Sequence, residues 1–488
     1  MIERAIRYDK EDIFVNLARK EILDEYRELE PDDPEKVQAA EEQKEATLKA
    51  AKEDRATYLR VILDDVLDQM DESKRNEYFD EIAARSERTA DFLSSRSRFN
   101  RDQSFLLLLR EWNSFTPAVP IEGEEDRGGG YFIFHSGHGV VIDPGYDFIY
   151  HFSRAGGRIH DIDHIIVTHA HNDHTAEFES LLVLIHEYND KRKERNEKTK
   201  QVKLYLSLDA QQKLSGLIPL ERKECVKSII VLNRAKNPTV PQKIDLFPGG
   251  TLTVLPAYHD DQMTCDYAVG LGLEIDSDNG TKRIVFTGDT GICPKGAWSE
   301  HRAVYNLYPE PFRHPEPGSV DLVIAHIGSI QEQEFEKFYI RGHEAPQFYK
   351  NHLGMLGTII LLDQLQPKAA FISEFGQELK NIRTELVDKL AQALSQKRNR
   401  EEQSKIHVFP GDVSMVYDIN TGLFLCHNTC EFEDPERLKP WSETDDRRVY
   451  LFNQQLGPHR TENAIKDYKE RLKGRRLPCC YSDAEPDS

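Results

Sequence analysis

Apolar positions along this chain recur in two different rhythms. Up to about residue 115 few glycines or strand-like runs interrupt a helical pattern, and Tyr58, Ile62, Val66 and Met70 fall at the spacing of one buried helix face. Asp33-Pro34-Glu35 reads as a helix start, with a capping carboxylate, a proline in the first turn and an acid set against the helix dipole. The stretch from Glu35 to Arg55 is mostly Ala, Glu and Lys. It predicts a solvated helix packed on the next domain, with an exposed arm or a dimer contact as the other readings.

The rhythm changes at Thr116-Pro117 to Pro120, beyond which short apolar runs alternate with turns. Three glycines ending at Gly130 precede YFIF, a tight turn and VVIDPG, which predict strand, turn and strand. HIIVTH (164–169), KLYLS (203–207), TLTVLPAYH (251–259), YAVGLGLEI (267–275), KRIVFTGD (282–289), DLVIAHIG (321–328), KAAFISEFG (368–376), IHVFPGD and SMVYDI read as further strands. Helices are expected from Glu177 to Tyr188, from about Leu353 to Leu365, and over a face carrying Leu379, Ile382, Leu386 and Leu390. Strands interleaved with helices imply two sheets, or one mixed sheet, covered by helices. No repeat of fixed period is visible. The chain therefore divides into a helical N-terminal domain (1–115), an α/β domain (116–430) and a polar C-terminal extension (431–488). A helix near Asn463–Lys473 and a disordered end are expected in the extension.

Composition narrows the function classes. The 64 Lys+Arg against 85 Asp+Glu leave a net charge of −21 over 488 residues, a poor match to a general polyanion binder. No run of about 18 apolar residues occurs, so no membrane span is expected. The N-terminal MIERAIRYDKED lacks an apolar signal core, and the seven cysteines are odd in number and scattered. Both features point to a reducing cytoplasm.

The chemistry concentrates in His169-Ala-His171-Asn-Asp173-His174, directly after an apolar strand. A lone histidine is most often a satisfied core or surface residue. An array that joins neutral nitrogen donors to a hard carboxylate at a strand end suits zinc, and also manganese or iron.

This HxHxDH array resembles the signature of the metallo-β-lactamase superfamily, and the resemblance runs over roughly residues 125–420. It implies an αββα sandwich with the site at one edge between the sheets, preceded in the chain by the N-terminal all-α domain. Asp143 in VVIDPG matches the superfamily's early-strand Asp that orients the site. His259 matches a metal-binding His, and Asp289 in FTGDT matches the Asp that bridges two metals. At the place of the usual late-strand His this chain has Glu374. Either Glu374 is the ligand, which its position in the strand order favours, or His352 of NHLGMLG reaches the second metal and Glu374 supports it. The pattern is closest to tRNase Z-type phosphodiesterases, in which a His on the preceding helix stands where His352 does. That makes His352 a candidate general acid or phosphate contact. His326 sits at another strand end and could line the cavity.

The implied cofactor is a pair of divalent ions, Zn2+ first and Mn2+ or Fe2+ as alternatives. His169, His171, His259 and Asp289 would hold one; Asp173, His174, Asp289 and the fifth ligand would hold the other. Such a pair generates a hydroxide nucleophile from water, so no Ser or Cys nucleophile is needed. Asp173 is expected to be essential to activity. The substrate expected first is a phosphodiester, as nucleotide, oligonucleotide or RNA, because Asp289 stands where lactamases more often carry Cys. A thioester, lactone or other carboxylic ester is the alternative. Only 85 residues separate Asp289 from Glu374 (374 − 289), too few for a β-CASP insert. The basic run Lys191, Arg192, Lys193, Arg195, Lys198, Lys200 and Lys203 is read first as a solvated loop and second as a polyanion contact. Cys426 and Cys430 flank a His but form a weak metal signature. A different class stays open: a homo-oligomer or protein partner assembled through residues 1–115, with the hydrolase active only in the assembly.

Overall fold

The computed structural model describes residues 42, 46, 49, 71–94, 99, 101–110, 129–218, 224–233, 241–259, 267–294, 298–313, 315–335, 348–379, 382–396, 406–411, 415–420, 422 and 424–426. The expected helix start at Asp33, the face Tyr58, Ile62, Val66 and Met70, Cys430 and the C-terminal extension lie outside the described residues. The chain divides into two compact units, residues 1–89 and 90–488. In the first, residues 72–89 belong to helix α1 (Glu72–Ser94), whose remaining residues fall within the range of the second.

The second unit carries two mixed sheets. The first contains β1 (Ser104–Leu108), β2 (Tyr131–His135), β3 (His138–Ile142), β4 (His164–Val167), β5 (Val202–Ser207), β6 (Val226–Leu232), β14 (Met415–Asp418) and β15 (Phe424–Cys426), in the order β15-β14-β1-β2-β3-β4-β5-β6. The second contains β7 (Lys243–Phe247), β8 (Gly250–Pro256), β9 (Val269–Ser277), β10 (Gly280–Phe286), β11 (Leu322–Gly328), β12 (Ala369–Phe375) and β13 (His407–Pro410), in the order β13-β12-β11-β10-β9-β8-β7. Hairpins join β2 to β3 and β7 through β10 antiparallel, whereas β3-β4-β5-β6 and β10-β11-β12-β13 run parallel. The parallel halves need crossovers, and helices supply several of them.

Alternation along the strands builds the layers. On β2, Tyr131 and Ile133 face the other sheet with Val254, Leu271, Phe286 and Phe371, while Phe132 and Phe134 face outward. That outer face is covered by α2 (Phe148–Arg154), α4 (Phe178–Glu194) and α5 (Leu208–Leu214), with the short α3 (Asn172–Thr175) between α2 and α4 in the chain. The outer face of the second sheet is covered by α6 (Gly354–Leu365) and α7 (Arg383–Gln396), through Leu361, Leu362, Leu386 and Leu390. Helix, sheet, sheet and helix thus stack with three apolar seams, consistent with an αββα sandwich.

Four readings of the sequence change. Residues 104–108, expected in the helical region, form β1, which pairs with both β2 and β14; its SFLLL run is buried on both faces, so it lacks the polar alternation of a half-exposed strand. Helix α4 continues to Glu194, placing Lys191, Arg192 and Lys193 in its last turn rather than in a linker. There they pair with Glu194, Glu197, Asp190 and Glu224, while Lys200 pairs with Asp163, so much of the basic run is neutralised at home. In the helix expected from Leu379, Ile382 lies ahead of α7 and is exposed; Val387 and Leu394 complete the buried face instead.

His164, the first residue of β4, is buried with Nδ1 3.1 Å from the Tyr205 hydroxyl. Burial lowers its pKa to about 4. The unfolded chain takes up this proton near pH 6.5, so stability is full above that value and falls as the pH drops toward 4. We expect the wild-type protein to lose about 2 kcal/mol more than His164→Gln between pH 7.5 and pH 5 in denaturant unfolding. Equal losses would remove His164 from the acid sensitivity.

Candidate metal centre

The candidate centre lies just beyond the ends of β3, β4, β8, β10, β11 and β12, where parallel and adjoining strands open toward the same edge. Asp143 follows β3 with φ +51°, a left-handed conformation that costs a non-glycine residue about 1 kcal/mol or more. It is held there because its two carboxylate oxygens accept from the Thr168 backbone N–H and hydroxyl, both at 2.7 Å. Its Oδ2 also lies 2.9 Å from His174 Nδ1. The turn after β4 thus carries His169, His171, Asp173 and His174 inward on a frame braced by Asp143.

Two neighbours clamp the same turn. The Ala170 N–H donates to the Asp209 carboxylate at 3.0 Å. Half-buried Lys213 on α5 donates to Ala170 O (2.7 Å), Asn172 Oδ1 (2.7 Å) and Thr175 Oγ1 (2.8 Å). Lys213→Met removes all three bonds without adding bulk. We expect metal affinity or turnover to fall by about 10- to 100-fold, the range for groups that orient a site without entering it. Unchanged cation affinity would show that the turn holds its shape without Lys213.

His259 follows β8, and its Nδ1 donates to the Asn351 carbonyl at 2.7 Å, which fixes the tautomer and leaves Nε2 facing the cluster. Asp289 follows β10. Its Oδ1 lies 3.0 Å from His326 Nδ1, and its Oδ2 lies 3.5 Å from His169 Nε2 and 3.6 Å from His174 Nε2. His326 is in turn bonded through Nε2 to the Tyr131 hydroxyl at 3.0 Å, and that hydroxyl meets Ser373 Oγ at 2.8 Å. Ser373, Tyr131 and His326 therefore form a buried relay that orients Asp289. Glu374, next to Ser373 on β12, has φ +59° and is fully buried.

Two groups of donor atoms result. His169, His171, His259 and Asp289 each offer one atom within 4.8 Å of the others; so do Asp173, His174, Asp289 and Glu374. Asp289 belongs to both. His352 belongs to neither, with Nδ1 3.8 Å from Asp289 Oδ2 and its ring partly open at the rim. Asp143 and His326 touch the groups from behind. The ten residues singled out in the sequence thus meet in one place, with Glu374 rather than His352 among the clustered donors.

The electrostatics follow from burial. His169 is held well below the ordinary imidazole value, first by desolvation and then by the neighbouring histidines. Burial also works against charge on His174, but the carboxylates of Asp173 and Glu374 outweigh it and raise its pKa well above the ordinary value. Burial pushes the acids up, yet His174 and its neighbours hold Asp173 at about 2 and Asp289 well below the carboxylate range. Glu374 Oε2 and Asp173 Oδ1 are buried without a hydrogen-bond partner among the described residues, while Glu374 Oε1 and both nitrogens of His174 meet only charged side chains of the centre. Unsatisfied buried carboxylates are costly unless a cation or donor meets them. The donor set, its sharing of Asp289 and its unsatisfied atoms fit a pair of divalent ions.

Sequence reasoning missed Arg110. It is fully buried, with Nη1 2.7 Å from Glu374 Oε1 and 3.4 Å from Asp173 Oδ2, and Nη2 donating to the carbonyls of Gly129, Asp143 and Asp173. An arginine ending the apolar run SFLLLLR was the available signal, but it is hidden once that run is read as helix. Tyr131, Lys213 and Asp209 were missed because their partners are remote in sequence.

Residues 138–372 match the family described as the beta-lactamase superfamily domain. No curated protein sequence matches the chain. Among solved structures, the metallo-beta-lactamase fold protein YhfI from Bacillus subtilis is 14% identical, covering 65% of this chain and 99% of its own, with a TM-score of 0.42. Human tRNase Z, short form, is 13% identical, covering 64% of this chain and 99% of its own, with a TM-score of 0.40. Yeast PDE1 is 10% identical, covering 63% of this chain and 98% of its own, also at 0.40. The chain carries a metallo-β-lactamase superfamily domain. The buried clusters of His, Asp and Glu mark that domain as a metal-dependent hydrolase domain of the superfamily. No helix among the described residues is long and apolar enough to cross a membrane.

Proposed function

We propose that this protein is a binuclear metal-dependent phosphodiesterase. His169, His171, His259 and Asp289 would hold one cation, and Asp173, His174, Asp289 and Glu374 would hold the other. Two divalent cations, when bound, bring the pKa of a coordinated water toward 7 and neutralise charge growing on phosphoryl oxygens. The chain's own residues do the rest. Asp143 and Lys213 keep the HxHxDH turn in shape, the Tyr131–His326 relay aims Asp289, and Asp173 orients the water that attacks phosphorus, whose proton passes to solvent. The phosphorus–oxygen bond to the leaving group breaks as the new one forms, and the leaving oxygen takes a proton from His352.

The observation that carries this reading is His352, partly exposed and 3.8 Å from the carboxylate shared by both clusters. A leaving alkoxide needs a proton, whereas a thiolate, with a pKa near 8.5, leaves without one. Burial holds the His352 pKa below the ordinary imidazole value, which makes its proton easier to surrender. The test is turnover of bis(p-nitrophenyl) phosphate, a thioester and a lactam by the metal-loaded protein. Phosphodiester turnover supports the proposal, and a drop in His352→Ala for a dinucleoside phosphate, whose leaving alkoxide needs a proton that p-nitrophenolate does not, supports the role of His352; thioester turnover alone overturns it.

A further inference from the structure

Arg110 enters the second cluster as a charge the family pattern did not lead us to expect. Its guanidinium contacts two of the four clustered residues, Glu374 and Asp173, and its other amino group is anchored on three backbone carbonyls. Arginine stays positive at any pH where the chain folds, so this charge cannot be shed to make room for a cation. The count is short. Once His174 and the other histidines are neutral, as cation ligation requires, Asp173, Asp289 and Glu374 contribute −3 and Arg110 +1, leaving −2 across both clusters. One divalent ion balances that, and a second carries the centre to +2. The donor sets differ as well: three imidazoles and one carboxylate in the first cluster, one imidazole and three carboxylates in the second. Nitrogen-rich sites suit zinc, while carboxylate-rich sites suit manganese or magnesium.

We infer that Arg110 is a resident positive charge of the second cluster, making it a weak, oxygen-preferring cation site that fills after the first. This rests on the two-cation reading above. Arg110 acts here through Glu374 and Asp173 as a positioning and selectivity residue. It also fits an anionic substrate, whose charge would offset the +2 left when both ions are present.

The test is calorimetric titration of the full chain with Zn2+ and with Mn2+, the latter also followed by electron paramagnetic resonance after one equivalent of Zn2+. The wild type should take one tight Zn2+ and a second at least about 100-fold more weakly, with Mn2+ binding at the second position of the singly loaded protein. Arg110→Met, which removes the charge, should tighten the second equivalent at least about tenfold and leave the first unchanged. Arg110→Lys, which keeps the charge but loses the forked grip, should leave the second equivalent weak. Two Zn2+ equivalents of equal affinity in the wild type would overturn the inference, and that measurement stands even where Arg110→Met fails to fold. Weaker second-site binding in both Arg110 variants would overturn it too, since position rather than charge would then dominate. Absence of any cation binding would instead sink the two-cation reading itself.

Discussion

Asp289→Asn should lower phosphodiester turnover by about 10^3-fold or more while leaving the circular dichroism spectrum unchanged. Asp289 is the residue common to both donor groups, with Oδ2 3.5 and 3.6 Å from His169 and His174 and Oδ1 against His326. The amide keeps nearly the same shape, so the fold has no reason to change. It loses the negative charge that would sit between two cations, and one of its two ends becomes a donor facing buried histidines. Both clusters should therefore lose affinity together. The check is metal content by mass spectrometry beside kcat/KM for bis(p-nitrophenyl) phosphate. A variant that binds two equivalents and keeps more than about a tenth of the rate would show that Asp289 does not join the sites.

Gly145→Ala should cost about 3 kcal/mol of stability and distort the centre, although the residue carries no chemistry. Gly145 sits in the turn after β3, where its N–H donates to Gly129 O at 2.9 Å. A Cβ at this position would overlap the carbonyl oxygen of Asp173 and come within 2.7 Å of Gly129 O. Both obstacles are backbone, so no rotamer change relieves them. The same Asp173 carbonyl accepts from Arg110, so the displacement should spread to the second cluster. Urea unfolding measures the first effect and Mn2+ titration the second. Stability within about 0.5 kcal/mol of wild type would mean that the turn can retreat from the new methyl group.

The parts of this site that are legible in the sequence are those written locally. His169, His171, Asp173 and His174 follow a four-residue buried strand, so their spacing alone places four donors on one turn. His259, Asp289 and Glu374 likewise stand one to three residues past, or at the last positions of, apolar runs that read as strands. A buried strand announces itself through its apolar run, and its end marks where polar chemistry can begin. Less of the layering was legible. β6 and β7 went unseen because their burial is partial and their sequences carry Lys, Ser and Asp. β1 was misread because five consecutive apolar residues suit either a buried strand or a helix face.

What the amino-acid order determined by itself is the class of chemistry: a histidine and carboxylate centre at the strand ends of an α/β domain. Tertiary structure alone decided how that centre is balanced. Arg110 meets Glu374 across 264 positions (374 − 110), and Tyr131 meets Ser373 across 242. Neither pair has a local signature, because the partner of a buried charge is chosen by which strands lie adjacent. Side-chain spacing along one strand repeats every second residue wherever that strand lies. Contact between strands depends on register and sheet order, which the whole chain must settle together.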